Sequence, residues 1–350
     1  MRSLKRQILA SHSATAIWFS GPRAVELRDE QVPDPPPGAI RVRAIASAIS
    51  HGTELLVYRG EVPADMPLDL PTLAGSFAFP IKYGYAAVGR VLDVGPGVSR
   101  FAPGDLAFAL HPHQSVFIAP EQLAVPLGRD LDPLVGLFTA NLETALNIVH
   151  DTPLRLGETA LVFGQGVVGL LVAQLLRLAG AARVFAVEPL ERRQALARLV
   201  GVDAVFAPGP DLPARVQARN DGRLADVAIE VSGSGAALQA AIDCVIDEGT
   251  VVVASWYGVK PVTLSLGGRF HRGRLRLRSS QVGRLNPELA PRWDHARRFA
   301  AVAALLPRLR LAELITHRLP LASAAAAYAL VDQRPGEAGQ VVLVYDADRT

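Results

Sequence analysis

Cysteine is almost absent from this 350-residue chain, where Cys244 stands alone. A single thiol closes no intramolecular disulfide and builds no multi-cysteine zinc site, and it suits a reducing cytoplasm. Lysine is nearly as scarce. Lys5, Lys82 and Lys260 are the only three, so arginine carries the positive charge. A net charge of +3 spread over the whole chain is no nucleic-acid footprint. Long apolar runs are missing too: Gly, Gln, Arg or Pro breaks each one short of the ~20 residues a membrane span needs. The basic start MRSLKRQ precedes an apolar patch, Ile8 to Ala10, too short for a signal sequence, and reads as a loose leader. These scarcities leave a globular protein of the cytoplasm, with no membrane or nucleic-acid partner, long enough for two domains.

What is present centres on Glu158 to Arg193. Ala160 to Phe163 is a short, bulky apolar run, as a buried strand requires. Gly164, Gly166 and Gly169 follow in G-x-G-x-x-G spacing, inside which fall Val167 and Val168. An apolar stretch from Val167 to Leu178 ends before Gly180 as a helix does, and Val184 to Val187 then closes on Glu188. The glycines serve three different ends, namely a tight turn, close approach of backbone to a pyrophosphate, and close packing of helix on strand. The helix N-terminus offers free N–H groups and a positive dipole end to phosphate. Glu188, roughly 20 residues past the glycines, stands where a carboxylate accepts the ribose hydroxyls of a dinucleotide.

Around this unit the chain changes character. From Ala14 to Val57 it reads as short strands and turns, Tyr83 to Val94 as a strand pair, and Ser115 to Ile118 as a strand, which suggests an open, barrel-like β domain. From Val135 onward helical and strand patterns alternate through Val227–Val231, Ala236–Ile246 and Thr250–Ser255, implying a parallel, doubly wound α/β sheet. Two helical stretches and a closing strand, Gln340 to Tyr345, follow.

GTELLVYRG (Gly52–Gly60), KYGYAAVGRV (Lys82–Val91), PGD (Pro103–Asp105), the glycine fingerprint and GQVVLVYD near the end together resemble the medium-chain dehydrogenase/reductase superfamily. Their wording is most similar to the branch of alcohol dehydrogenase-like proteins that contains the bacteriochlorophyllide a dehydrogenases. The resemblance implies a Rossmann domain inserted into a β-rich, GroES-like catalytic domain. It sets the divisions at 1–140 for the first part of the catalytic domain, 141–284 for the Rossmann domain and 285–350 for a segment returning to the catalytic domain. It also implies a homodimer and a small-molecule substrate.

At the positions where zinc alcohol dehydrogenases carry catalytic ligands, this chain has His51 in His51-Gly52-Thr53-Glu54, Tyr85 in Gly84-Tyr85-Ala86, and Ala140. A catalytic zinc needs three protein ligands, so no zinc is expected. His111 and His113 read as surface or pocket lining rather than as ligands. By the resemblance, Thr53 hydrogen-bonds the substrate oxygen and relays protons. Tyr85 points into the space left by the metal, and His51 takes the relayed proton near neutral pH. Strand packing for Tyr85 and a structural role for His51 are the competing readings.

On the cofactor side the resemblance presses Val168 against the nicotinamide. Ser232, Ser255, Trp256 and Tyr257 lie at C-terminal strand ends, where open α/β sheets bind ligands. Glu188 favours NAD(H), because a carboxylate repels a 2′-phosphate, whereas Arg192 and Arg193 would suit NADP(H). Arginines cluster between Arg269 and Arg278, and Arg274, Arg276 and Arg278 alternate with strand period and share one face, either a charged sheet edge or an attraction for anions. The expectation is a zinc-independent oxidoreductase moving a hydride between NAD(H) and a secondary alcohol or ketone. Its rivals are an NADPH-dependent enoyl or quinone reductase and a dinucleotide-binding sensor or scaffold without turnover. Loops Tyr58–Pro80 and Gly283–Trp293 shape the pocket, and the substrate itself is not specified.

Overall fold

A computed structural model describes residues 12–68 and 75–346; the leader expected before the first strand lies outside them. Strands β1 (His12–Gly21) and β2 (Ala24–Val32) form an antiparallel hairpin. Strand β3 (Ala39–Ile49) is buried almost throughout, which fits its central place. It pairs with β4 (Ala87–Val94) on one side. β5 (Leu106–Ala109), β6 (Val116–Pro120) and β7 (Ala124–Pro126) complete this part of the sheet, with β6 also paired to β3.

Two segments depart from the sequence reading. Thr53–Arg59 is a helix, α1, where strands and turns were expected. Its seven residues are too few for apolar periodicity to separate helix from strand, and Gly60 stops it in a left-handed C-cap at φ 72°. Tyr83–Val94 supplies one strand rather than two, because regular pairing starts only at Ala87. Gly84 holds φ +130° there, a conformation that a side-chain-bearing residue rarely adopts.

Helices α2 (Pro133–Gly136) and α3 (Thr139–Asp151) lead into the parallel sheet. Strand β8 (Thr159–Phe163), helix α4 (Val167–Leu178), β9 (Arg183–Val187), α5 (Glu191–Leu199) and β10 (Ala204–Phe206) build one half. Helix α6 (Leu212–Arg219), β11 (Ala225–Glu230), α7 (Gly235–Asp243), β12 (Val245–Val253) and β13 (Arg276–Ser279) build the other. The strand order is β10-β9-β8-β11-β12-β13, all parallel, which is the doubly wound α/β arrangement. Helix α7 ends at Asp243, and Val245 to Gly249, partly read as its continuation, belongs to β12.

The C-terminal part contains α8 (His295–Leu305), β14 (Ile315–Pro320), α9 (Ala324–Gln333) and β15 (Gln340–Val344). β15 runs antiparallel to β3, and β14, a strand missed in the sequence, lies parallel to β15 at the sheet edge. One apolar core runs through α3 from Ala46 and Val88 in the mixed sheet to Val162 and Ile229 in the parallel one. Tyr85 and Val168 both pack against it. Rossmann sheet and β-rich sheet therefore meet on a common core.

Candidate active site

The parallel sheet reverses its winding between β8 and β11, and the crevice beyond their C-terminal ends is where such sheets take ligands. The three glycines there are separated by their surroundings. A Cβ on Gly169 would stand 2.0 Å from the Gly164 carbonyl oxygen, so close packing of helix on turn requires glycine. Gly164 has φ +93°, and a Cβ on it would stand 2.8 Å from the Cα of Ser232. Gly166 meets nothing within 4 Å, so the space beside it is open at the N-terminus of α4, which no side chain caps. Val167 is buried and Val168 partly exposed. Two buried polar atoms nearby lack partners among the described residues: Nε of Arg193 and Oε1 of Gln165. Open backbone approach, uncapped N–H groups and an unpaired guanidinium nitrogen fit a dinucleotide pyrophosphate.

Glu188 is 2% exposed, and its oxygens already accept the backbone N–H groups of Gln165 at 2.7 Å and Leu190 at 3.0 Å. The carboxylate therefore ties the glycine loop to the start of α5, a role its sequence position did not disclose. Across the crevice Glu230, fully buried at the end of β11, gathers the loops. Its Oε1 accepts the Ser232 N–H at 2.6 Å, the Ser232 hydroxyl at 2.7 Å and the Gly233 N–H at 2.9 Å. The Tyr257 hydroxyl donates to Oε2 at 2.7 Å, and Ser255 Oγ accepts the Gly233 N–H at 2.8 Å. Ser232 and Ser255 are thus brought together, Tyr257 is anchored and Trp256 is left 42% exposed. An acid within the apolar run Val227–Val231 was the available signal for Glu230.

On the other sheet, α1 begins at Thr53, beside Tyr85. The Tyr85 phenol donates to Ser50 Oγ. Burial raises its pKa above the ordinary tyrosine range, and the nearby Glu54 charge acts the same way, against the polar contacts with Ser50 and Thr53. The phenol is therefore a neutral donor at physiological pH. Ser50, which sequence reading passed over, completes this group.

His51 is not part of it. Its buried Nε2 has no hydrogen-bond partner among the described residues. Burial first, then the charges of Arg193 and His317, lower its pKa to about 3. At that value the imidazole stays neutral near pH 7, which weighs against the expected proton-acceptor role there. Of the two histidines expected at the surface or lining a pocket, His111 is half-buried and His113 is buried. His111 stacks on Phe117 with ring centroids 4.2 Å apart, and burial lowers its pKa to about 4. His113 is fully buried between Glu54 and Ser47. Four of the five arginines of the 269–278 segment face acids: Arg269 on Asp247 at 2.8 Å, Arg274 and Arg276 on Glu248, and Arg278 on Asp151. Among the described residues, no group of three or more His, Cys, Asp or Glu gathers as metal ligands do.

A doubly wound sheet with an open glycine loop, joined to a β-rich sheet bearing a hydroxyl cluster, defines a dinucleotide-dependent oxidoreductase architecture. The zinc-binding dehydrogenase family profile matches residues 167–300. The (R,R)-butanediol dehydrogenase of Bacillus subtilis (strain 168) is 30% identical over 262 residues, 66% of this chain and 75% of its own. A 2-desacetyl-2-hydroxyethyl bacteriochlorophyllide A dehydrogenase of Cereibacter sphaeroides is 29% identical over 338 residues, 92% of this chain and 95% of its own. A Sinorhizobium meliloti 1021 protein crystallised with NADP superposes with TM-score 0.77 at 22% identity, over 95% of this chain and 99% of that one. The chain belongs to the zinc-binding dehydrogenase family, within the alcohol dehydrogenase-like medium-chain dehydrogenases/reductases. It is an NAD(P)-dependent oxidoreductase.

Proposed function

We propose that the protein interconverts a secondary alcohol and a ketone with NAD(H), without a catalytic zinc. The observation that carries this reading is the cluster of Tyr85, Ser50 and Thr53. A neutral phenol and a threonine hydroxyl can donate to the oxygen of a carbonyl as it gains negative charge. When bound, the nicotinamide supplies or takes the hydride. Gly164, Gly166, Arg193 and the first turn of α4 would hold its pyrophosphate, Val168 would back its ring, and Ser232, Ser255 and Trp256 would border it.

The donor set does not fit zinc. Tyr85 offers a phenol held protonated by burial and engaged to Ser50, Ala140 offers no ligand, and His51 alone remains of the three positions. The test is NAD(P)H oxidation across a ketone panel with chelator-dialysed protein. Retained activity with no bound metal is expected; about one zinc per chain, with activity lost on chelation, would sink the zinc-free reaction.

Glu188 supports NAD(H) over NADP(H), since a second anion beside this buried carboxylate is unfavourable. Fluorescence titration should show tighter NADH than NADPH binding, and Glu188→Ala should narrow the gap. An unchanged preference would remove Glu188 from that role. The divisions at 140/141 and 284/285, a homodimer and a cytoplasmic setting belong to the same reading. Sedimentation velocity checks the dimer.

A further inference from the structure

Behind the hydroxyl cluster lies a set of polar groups that the reaction as described leaves unused. Ser47, Glu54, His113 and Tyr328 are all fully buried, an expensive place for a carboxylate and an imidazole. Each is nonetheless partnered. His113 Nε2 lies 2.8 Å from Glu54 Oε1, and its Nδ1 lies 2.7 Å from Ser47 Oγ. Ser47 Oγ lies 2.8 Å from the Tyr345 hydroxyl, and the Tyr328 hydroxyl donates to Glu54 Oε1. Glu54 Oε2 accepts the backbone N–H of Ser50 at 3.1 Å. Gly84 makes room for the imidazole, because a Cβ there would stand 2.7 Å from two of its ring atoms.

Closing a core does not require such a pair; apolar side chains of similar volume would fill the space without the desolvation cost. What the pair holds is Ser50. The Ser50 N–H rests on Glu54, and its hydroxyl accepts from the Tyr85 phenol. We propose that Glu54 and His113 are positioning residues that fix Ser50, and through it the direction in which Tyr85 donates. Ser50 is the group that returns a proton to Tyr85.

In the reducing direction the bound reduced nicotinamide would supply a hydride to the carbonyl carbon, while Tyr85 turns its proton from Ser50 to the carbonyl oxygen. The Ser50 hydroxyl then reverses its bond, donating a proton to the Tyr85 oxygen as it takes one from water, since Ser50 is only partly buried. One ketone, one reduced nicotinamide and one proton give one alcohol and one oxidised nicotinamide. This assignment rests on the alcohol–ketone reading, so the decisive measurement reads Tyr85 without turnover.

Protein labelled with ¹³C at tyrosine Cζ carries six reporters, and Tyr85→Phe identifies the Tyr85 resonance by its loss. His113→Gln, Glu54→Gln and Ser50→Ala are each expected to shift the Tyr85 resonance while that of Tyr257 stays in place. With a substrate from the panel, His113→Gln should lower kcat ~10-fold or more and leave KM within about twofold, as loss of orientation does. Glu54→Gln, close in shape to the original, keeps the measurement available should His113→Gln not fold. A Tyr85 resonance unmoved in the folded His113 or Glu54 variants would overturn the positioning role, and one unmoved in Ser50→Ala would overturn the Ser50 contact. A wild-type protein that binds cofactor but turns over no alcohol or ketone would instead remove the functional reading and the proton route with it. The resonance shifts would then judge the positioning alone.

Discussion

Replacing Tyr85 by Phe removes one oxygen atom and leaves the ring on its apolar neighbours. If the phenol is the donor to the substrate oxygen, kcat should fall ~100-fold while melting temperature stays close to wild type. Equal losses of activity and stability would mean a packing role instead. His51 makes the opposite case. Its folded pKa is about 3, whereas an unfolded chain takes the proton at roughly 6.5. Between those values the unfolded state binds more protons, so this group's contribution is intact above pH ~6.5 and shrinks toward pH 3. His111, lowered to about 4, acts with the same sign. Urea unfolding at pH 4.5 and 7.5 should therefore show His51→Gln losing less stability on acidification than wild type. The rate profile should carry no limb from His51 between pH 5 and 8. The residue type at position 51 was legible in the sequence, but its titration was not, because burial and the charges of Arg193 and His317 set it.

At the scale of elements, the β8–α4 turn separates binding from folding. Gly166→Ala places a methyl in open space at φ −69°, so the fold should tolerate it. The methyl nonetheless occupies the approach of the pyrophosphate, and NADH affinity should drop ~10-fold or more by fluorescence titration. Gly169→Ala meets the Gly164 carbonyl oxygen at 2.0 Å and should lower the melting temperature, at a cost of ~1–3 kcal/mol or more. Equal behaviour of the two variants would contradict these separate roles. This turn could be read from spacing because its demands are local: backbone conformation, helix start and strand end lie within a few residues of one another. α1 could not be read in that way. Thr53 to Arg59 is short, and Glu54, which looks like an ordinary charge on a first helical turn, is held in the core by His113 and Tyr328.

At the scale of the whole molecule, α8 docks on α3 through Arg298, which is 1% exposed. Its guanidinium donates to Glu143 at 2.5 and 3.0 Å, to Asn147 Oδ1 at 2.7 Å and to the Val282 carbonyl at 2.7 Å. Arg298→Leu would strand a buried carboxylate and should cost ~3–5 kcal/mol in urea unfolding, most of it recovered by adding Glu143→Leu. Burial already raises the Glu143 pKa, opposed by Arg298, so the loss should narrow at acid pH as the stranded group protonates. No narrowing would mean that packing, rather than the unpaired charge, dominates.

By itself the sequence determined the parallel sheet, the glycine turn with its acid and the hydroxyls available at Thr53 and Tyr85. Strand period, helix length and glycine spacing are short-range consequences of backbone geometry, so a single chain segment displays them. The tertiary structure alone decided which polar groups meet. Glu54 joins His113 across 59 residues and Tyr328 across 274, and Arg298 joins Glu143 across 155. No local period records such pairings. They arise because desolvated charges and hydroxyls must find partners wherever the packed core brings them together.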